Sequence, residues 1–104
     1  MEEIDKPVIA TTRASRDLNK IESFYSELYG RVRAIEIIDK LVARMDRLKK
    51  PIFRKDPVDE NFSHLKHEYR KMLDNHIKVT YRIGTTTIYI VRVFDTRQDP
   101  KRNL

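Results

Sequence analysis

Residues 67–97 read HEYRKMLDNHIKVTYRIGTTTIYIVRVFDTR, and this stretch decides the fold. Ile77, Val79, Tyr81 and Ile83 alternate with Lys78, Thr80 and Arg82. A period of two marks a strand with one buried face. After Gly84 and a run of threonines, Ile88-Tyr89-Ile90-Val91-Arg92-Val93-Phe94 is apolar at all but one position. A strand apolar on both faces belongs in the middle of its sheet. The shorter, more polar stretch 69–73 suits an edge. Asp74-Asn75 separates it from the next strand, and both residue types tolerate the positive φ of a tight hairpin turn. The stretch therefore predicts an antiparallel meander whose last strand is the best core element in the chain.

Cations are interleaved with these apolar residues. By alternation Arg70, Lys78 and Arg82 are expected to point away from the aliphatic face, Arg92 interrupts the central strand, and Arg97 follows it. The expectation is a sheet with one oily face for covering helices and one cationic face for a partner. The plainer reading is a set of solubilising charges on an exposed face.

Upstream, residues 7–11 (PVIAT) are enough for one short strand, and Thr11 or Thr12 can cap a following helix. That helix is predicted over 13–29, with Ala14, Leu18, Ile21, Tyr25, Leu28 and Tyr29 as its apolar stripe. Gly30 stands where a helix C-cap needs a positive φ. A second helix is predicted over 31–49, its stripe being Val32, Ile35, Ile38, Leu41, Val42, Met45 and Leu48, with Pro51 as the stop. So short a link pairs the two helices as an antiparallel hairpin, and both stripes are expected to be core.

Residues 53–63 read as a loop. Its carboxylates Asp56, Asp59 and Glu60 suggest a cation site, but they lack a glycine-turn spacing and have no histidine among them, so a solvated loop is expected. The order strand, helix, helix, three strands predicts one α+β domain over 1–104. The helical hairpin packs on one face of a small antiparallel-rich sheet, with tails at 1–6 and 98–104. The first strand joins most simply beside the long central strand.

The chain has 104 residues, a net charge of +6 and no cysteine. That length supports one modest core, and the lack of cysteine excludes a disulfide framework, a thiolate metal site and a Cys nucleophile. No apolar run approaches the roughly 18–20 residues of a membrane span, and the acidic start MEEIDK has no signal-peptide core; a soluble, cytoplasmic protein is expected. Two glycines cannot build a phosphate-binding loop or a dinucleotide fingerprint, so no cofactor is expected. Residues 31–55 carry nine Lys/Arg against three Asp/Glu, and 64–104 carry nine against four. Such basic blocks favour polyanionic or acidic partners.

In this order, ASRDLNKIESFY after a short strand, a second helix ending at proline, EYRKML, and HIKVTYRIGTTTIYIVRVFDTRQDP resemble the RelE/ParE superfamily of toxins from type II toxin–antitoxin modules, above all its ParE-like members. The hairpin "YRI–turn–IYIVRV" with an arginine just beyond it is the most specific piece, and the likeness spans roughly residues 8–100. The resemblance implies a plasmid-stabilising, growth-inhibiting toxin and a cognate antitoxin that lays a helix or strand over it, as a toxin–antitoxin hetero-oligomer. Tyr25 and Tyr29 are the antitoxin contacts expected.

ParE-like members poison DNA gyrase, whereas RelE-like members cut mRNA on the ribosome. By position, Lys71, Lys78 and Arg97 fall at the RelE-like basic sites and would stabilise phosphate charge. RelE-like members commonly add a tyrosine or histidine near the C-terminus. Here the tail is QDPKRNL and has neither, leaving His67 or His76 as substitutes or as plain surface histidines. That departure favours a non-hydrolytic, ParE-like action, with Arg70, Lys78, Arg92 and Arg97 as the target-binding surface. A member that only binds its antitoxin is the remaining alternative.

Overall fold

Thr11 starts the first helix as anticipated: its Oγ1 accepts the Ala14 N–H at 3.1 Å, satisfying one of the donors that every helix N-terminus leaves open. The computed structural model describes residues 4–62 and 64–97, so the predicted tail 98–104 lies outside the described residues. Helix α1 (Thr12–Tyr29) ends at Gly30, whose φ of +89° disfavours any side chain, and α2 (Arg31–Asp46) starts directly after it. Short 3-10 turns follow at Arg47–Lys49, Pro51–Phe53 and Glu60–Phe62.

Strand β1 (Val8–Ala10) precedes the helices, and β2 (Tyr69–Asp74), β3 (Ile77–Ile83) and β4 (Ile88–Asp95) follow them. The sheet order is β1-β4-β3-β2, with β1 parallel to β4 and the other pairs antiparallel. The meander and the position of the first strand are therefore as predicted. The β2–β3 turn is Asn75-His76, one residue later than expected, with Asn75 at φ +56°. Gly84 is required by close approach: a Cβ there would lie 2.8 Å from the Thr87 carbonyl oxygen.

β1 is only three residues long and pairs with β4 no further than Ile90. Beyond that point the β4 edge needs another partner, because a buried unpaired N–H is costly. Asp17 of α1 supplies it, accepting the Val93 N–H at 2.9 Å and Arg92 Nε at 2.8 Å. A one-residue irregularity in the β3–β4 register at Thr80/Tyr81 accompanies this switch.

The core lies between the hairpin and one sheet face. Ala14, Ile21 and Tyr25 of α1 and Ala34, Ile38, Leu41 and Met45 of α2 pack against Met72, Ile77, Val79, Tyr81, Ile88, Ile90 and Val93. Alanines at 14 and 34, both fully buried, let the helices approach closely. The predicted stripes are broader than this contact. Leu28, Tyr29, Val32, Ile35 and Val42 remain exposed, Val32 at 74 %. One small sheet covers one side of a two-helix layer, and residues on the outer flank of each stripe stay uncovered.

Candidate functional site

The sheet face turned away from the helices is not the cationic surface that alternation suggested. The segment around Asp59 folds over it: the Asp59 N–H donates to the Tyr69 carbonyl and the Lys71 N–H to the Pro57 carbonyl, so the loop extends the β2 edge. Asp59 is thereby driven into the protein. Its carboxylate accepts Thr80 Oγ1 at 2.6 Å and Lys78 Nζ at 3.0 Å, with the two ionic side chains 2 % and 7 % exposed. Phe62 lies 6.0 Å from the ammonium and stacks near Tyr69. Charges taken out of water need such a partner. The expectation of a solvated acidic loop is thus corrected for Asp59, and also for Asp56, which accepts the Tyr81 hydroxyl at 2.8 Å. Burial, then this hydrogen bond, pushes the Tyr81 hydroxyl well above its ordinary pKa.

Arg70 is misplaced by the alternation argument for a second reason. In register it stands opposite Tyr81, whereas Lys71 stands opposite Thr80. Directly paired residues share a face, so Arg70 belongs to the helix side and Lys71 to the Asp59 side. Arg70 donates to the Asp56 carbonyl and pairs with Glu68. Arg92 is buried on Asp17 and is not a solvent-facing cation. Arg82 lies 4.5 Å over the Tyr89 ring. Of the four residues expected as one binding surface, Arg70, Lys78 and Arg92 are therefore held by the protein's own acids and carbonyls, on different sides of the sheet.

Arg97 is different. It leaves β4 on the helix side, where its guanidinium meets Asp95 at 2.8 Å and donates to the Tyr25 hydroxyl at 3.1 Å. Tyr25 also donates to Asp95, at 3.1 Å. Asp95 is fully buried, yet the Arg97 side chain is 37 % exposed. Burial pushes the Asp95 carboxyl up, but hydrogen bonds from Arg97 and Tyr25 outweigh it and hold the pKa below the usual range. Burial and the Asp95 charge push Tyr25 up to about 12. Asp95 and Tyr29 in turn hold the Arg97 proton more firmly. A cavity of about 340 Å³ opens here, lined by Tyr25, Tyr29, Arg33, Asn75, His76 and Arg97 among others. Tyr29 is exposed, whereas Tyr25 is already buried by its own chain, so the expected pair of antitoxin contacts separates. His67 is exposed by a shallow depression with Arg70 and is remote from Arg97 in the sheet.

Sequence reasoning missed the acids Asp17 and Asp95 and placed Asp59 in solvent instead of on a buried lysine. Asp17 carried a readable cue: it continues the buried spacing 14, 17, 21, 25 of α1, opposite a strand that contains Arg92. An acid on a core stripe facing a cation on a core strand is the sequence trace of a buried pair. Among the described residues no group of three or more His, Asp or Glu is placed to hold a metal ion, and no helix is long and apolar enough to cross a membrane.

Comparison with solved structures finds the same fold in ten chains, among them two from toxin–antitoxin systems. A chain of the chromosomal ParDE toxin–antitoxin system from P. aeruginosa is similar with a TM-score of 0.72 and 20 % identity, covering 86 % of this chain and 95 % of that one. A chain of the RelBE2 toxin–antitoxin complex from Mycobacterium tuberculosis is similar with a TM-score of 0.62 and 22 % identity, covering 90 % and 94 %. No curated protein matches the sequence. The family model described as the ParE toxin of the type II toxin–antitoxin system parDE matches residues 8–100, nearly the whole of the described chain, and the protein belongs to that family of toxins.

Proposed function

We propose that the chain arrests growth by acting on DNA gyrase in the cytoplasm, without hydrolysis of its own, and that a cognate antitoxin neutralises it. The observation that supports this most is the dispersal of Lys71, Lys78 and Arg97, the three cations that fall at the RelE-like positions. Attack of a 2′-hydroxyl on its phosphate needs a proton acceptor and positive charge converging on one anion. Lys78 is spent on buried Asp59, Lys71 belongs to the same sheet face, and Arg97 stands on the opposite face with Asp95. The match to the ParE family model and the ParDE-like fold point the same way.

The antitoxin's place is the uncovered outer flank of the helical hairpin. Leu28, Tyr29, Val32, Ile35 and Val42 form an apolar strip of the kind that an amphipathic helix covers. One observation favours the second reading, mRNA cleavage: His76 lines the same cavity as Arg97, which puts an imidazole and a guanidinium in one cavity. Supercoiling of relaxed plasmid by purified gyrase separates the two. Loss of supercoiling with cleaved DNA, relieved by the antitoxin, is expected. Undisturbed gyrase together with codon-positioned mRNA cuts on ribosomes would establish the cleavage reading instead.

A further inference from the structure

The segment 49–55, Lys-Lys-Pro-Ile-Phe-Arg-Lys, follows the C-terminal end of α2, whereas the cavity at Arg97 takes its α2 lining, Arg33 and Ile37, from the first half of that helix. It is built with unusual rigidity for a connection. Two 3-10 turns follow each other, with Pro51 fixing the start of the second. Arg54 then staples the loop from inside, donating to the carbonyls of Leu48, Lys49 and Ile4 at 2.7, 2.7 and 2.8 Å. A guanidinium used in this way closes a loop against its own backbone and leaves little freedom to it.

What the staple displays is apolar. Ile52 is 68 % exposed, Phe53 47 %, and Ile4, whose carbonyl the same Arg54 holds, 53 %. Cations surround them: Arg47 stacks 5.9 Å from the Phe53 ring, and Lys49, Lys50 and Lys55 are exposed. Neither the core nor the Asp59 and Asp95 sites need these side chains. A rigid loop that presents aliphatic and aromatic groups inside a basic rim has the anatomy of a protein-binding centre, an apolar anchor ringed by charge.

We propose that this platform docks the toxin onto its target protein, against an acidic segment that carries aliphatic or aromatic side chains. The inference rests on the reading that the target is a protein. Two features favour a polypeptide over nucleic acid. Ile52 is the most exposed apolar residue of the platform and has no π-face for a base, whereas stacking on aromatic rings is what single-stranded nucleic acid uses. Asp5 and Asp46 also stand within the rim, 3.1 and 3.3 Å from Lys50 and Lys49, where a phosphate backbone would meet them. A peptide is free to place its own acids between them.

The test is the full chain with Ile52→Ser and Phe53→Ser together, expressed without antitoxin, alongside a Lys49→Gln/Lys50→Gln variant. Growth arrest reads target docking whatever the target is, and gyrase supercoiling reads it for gyrase. The Ser variant is expected to need at least ~30-fold more protein for the same arrest, as loss of two anchor residues implies, with melting unchanged and antitoxin still bound. The Gln variant should fall between it and the wild type. A Ser variant as toxic as the wild type overturns the inference, as does a wild-type chain that arrests no growth. So does wild-type binding to a duplex or single-stranded oligonucleotide that the substitutions abolish, which would make the platform a nucleic-acid surface. If the Ser variant loses arrest while wild-type protein leaves gyrase untouched, the platform stands and the gyrase reading falls.

Discussion

Asp59 and Asp95 are both essentially buried and each holds a cation, yet the two sites are not alike. Asp59 is carried inward by its own loop, where it accepts the Thr80 hydroxyl, and its partner Lys78 is buried with it beside Phe62. Asp95 lies at the rim of the core, and its partner Arg97 keeps one side of its guanidinium toward solvent and an open cavity. A buried carboxylate therefore says little by itself. Whether the pair is scaffold or site depends on what lies on the far side of the cation. Lys78 has no outward face to offer a target, whereas Arg97 does.

The largest effect should come from opening the sealed pair. Asp59→Ala leaves an ammonium in an apolar setting with Thr80 short of an acceptor, and should remove about 3–5 kcal/mol from the unfolding free energy measured in urea. Replacing the pair together, Asp59→Leu with Lys78→Met, should restore part of that loss, because no ammonium is then buried without its partner, while Thr80 and the Asn61 N–H still lack the carboxylate. A double variant as unstable as Asp59→Ala would mean that the loss comes from those two donors and not from the unpaired ammonium.

Arg97→Ala should cost less, about 1–2 kcal/mol, because a third of the side chain is already in water and Asp95 keeps Tyr25 and the Arg97 N–H. A loss as large as that of Asp59→Ala would erase the contrast between the two sites.

The same cluster should be visible in the pH dependence of stability. Tyr25 has a folded pKa raised to about 12, so its contribution is complete below its unfolded value of roughly 10 and is lost as pH rises from there through the folded value. Asp95 has a lowered folded pKa, so its contribution is present above roughly pH 4 and is lost as pH falls through the folded value. Tyr25→Phe, at about 1–2 kcal/mol for a hydroxyl that donates to Asp95 and accepts from Arg97, should flatten the alkaline limb and leave an acid limb that is smaller, held by the Arg97 bonds to Asp95. An unchanged alkaline limb would place that titration elsewhere.

Smallest of all is Val32→Ser, expected within about 0.5 kcal/mol of the parent in stability but measurably weaker in antitoxin binding. Equal affinity would remove the hairpin flank as the antitoxin's seat.

The fold was legible because its determinants are local and periodic. The meander follows from alternation in 77–83 and the unbroken run in 88–94, and Thr11 and Gly30 bound the helices through their own backbone chemistry. Faces were harder. Alternation within one strand placed Lys78 and Arg82 together, but carrying it across a turn to Arg70 failed, since register and not sequence spacing sets which residues of two strands share a face. The buried pairs were hidden for another reason. Asp59 and Lys78 are 19 residues apart and Asp17 and Arg92 are 75 apart, so a cation that looks solvent-facing on its strand is neutralised by an acid only the folded chain brings to it. Without those partners in view, Lys78 and Arg92 look like binding residues. Arg97 and its cavity were only half visible: the arginine could be placed, but not the carboxylate two residues before it as the group that holds it.

The most direct test is a gyrase supercoiling titration comparing wild type, Arg97→Ala and the Asp59→Leu/Lys78→Met double variant, each shown to be folded. The account predicts that Arg97→Ala needs at least ~10-fold more protein for half-inhibition, as loss of a contacting guanidinium implies, while the double variant inhibits like the wild type. A double variant that has lost inhibition, beside an Arg97→Ala that has kept it, would reverse the roles assigned to the two sites.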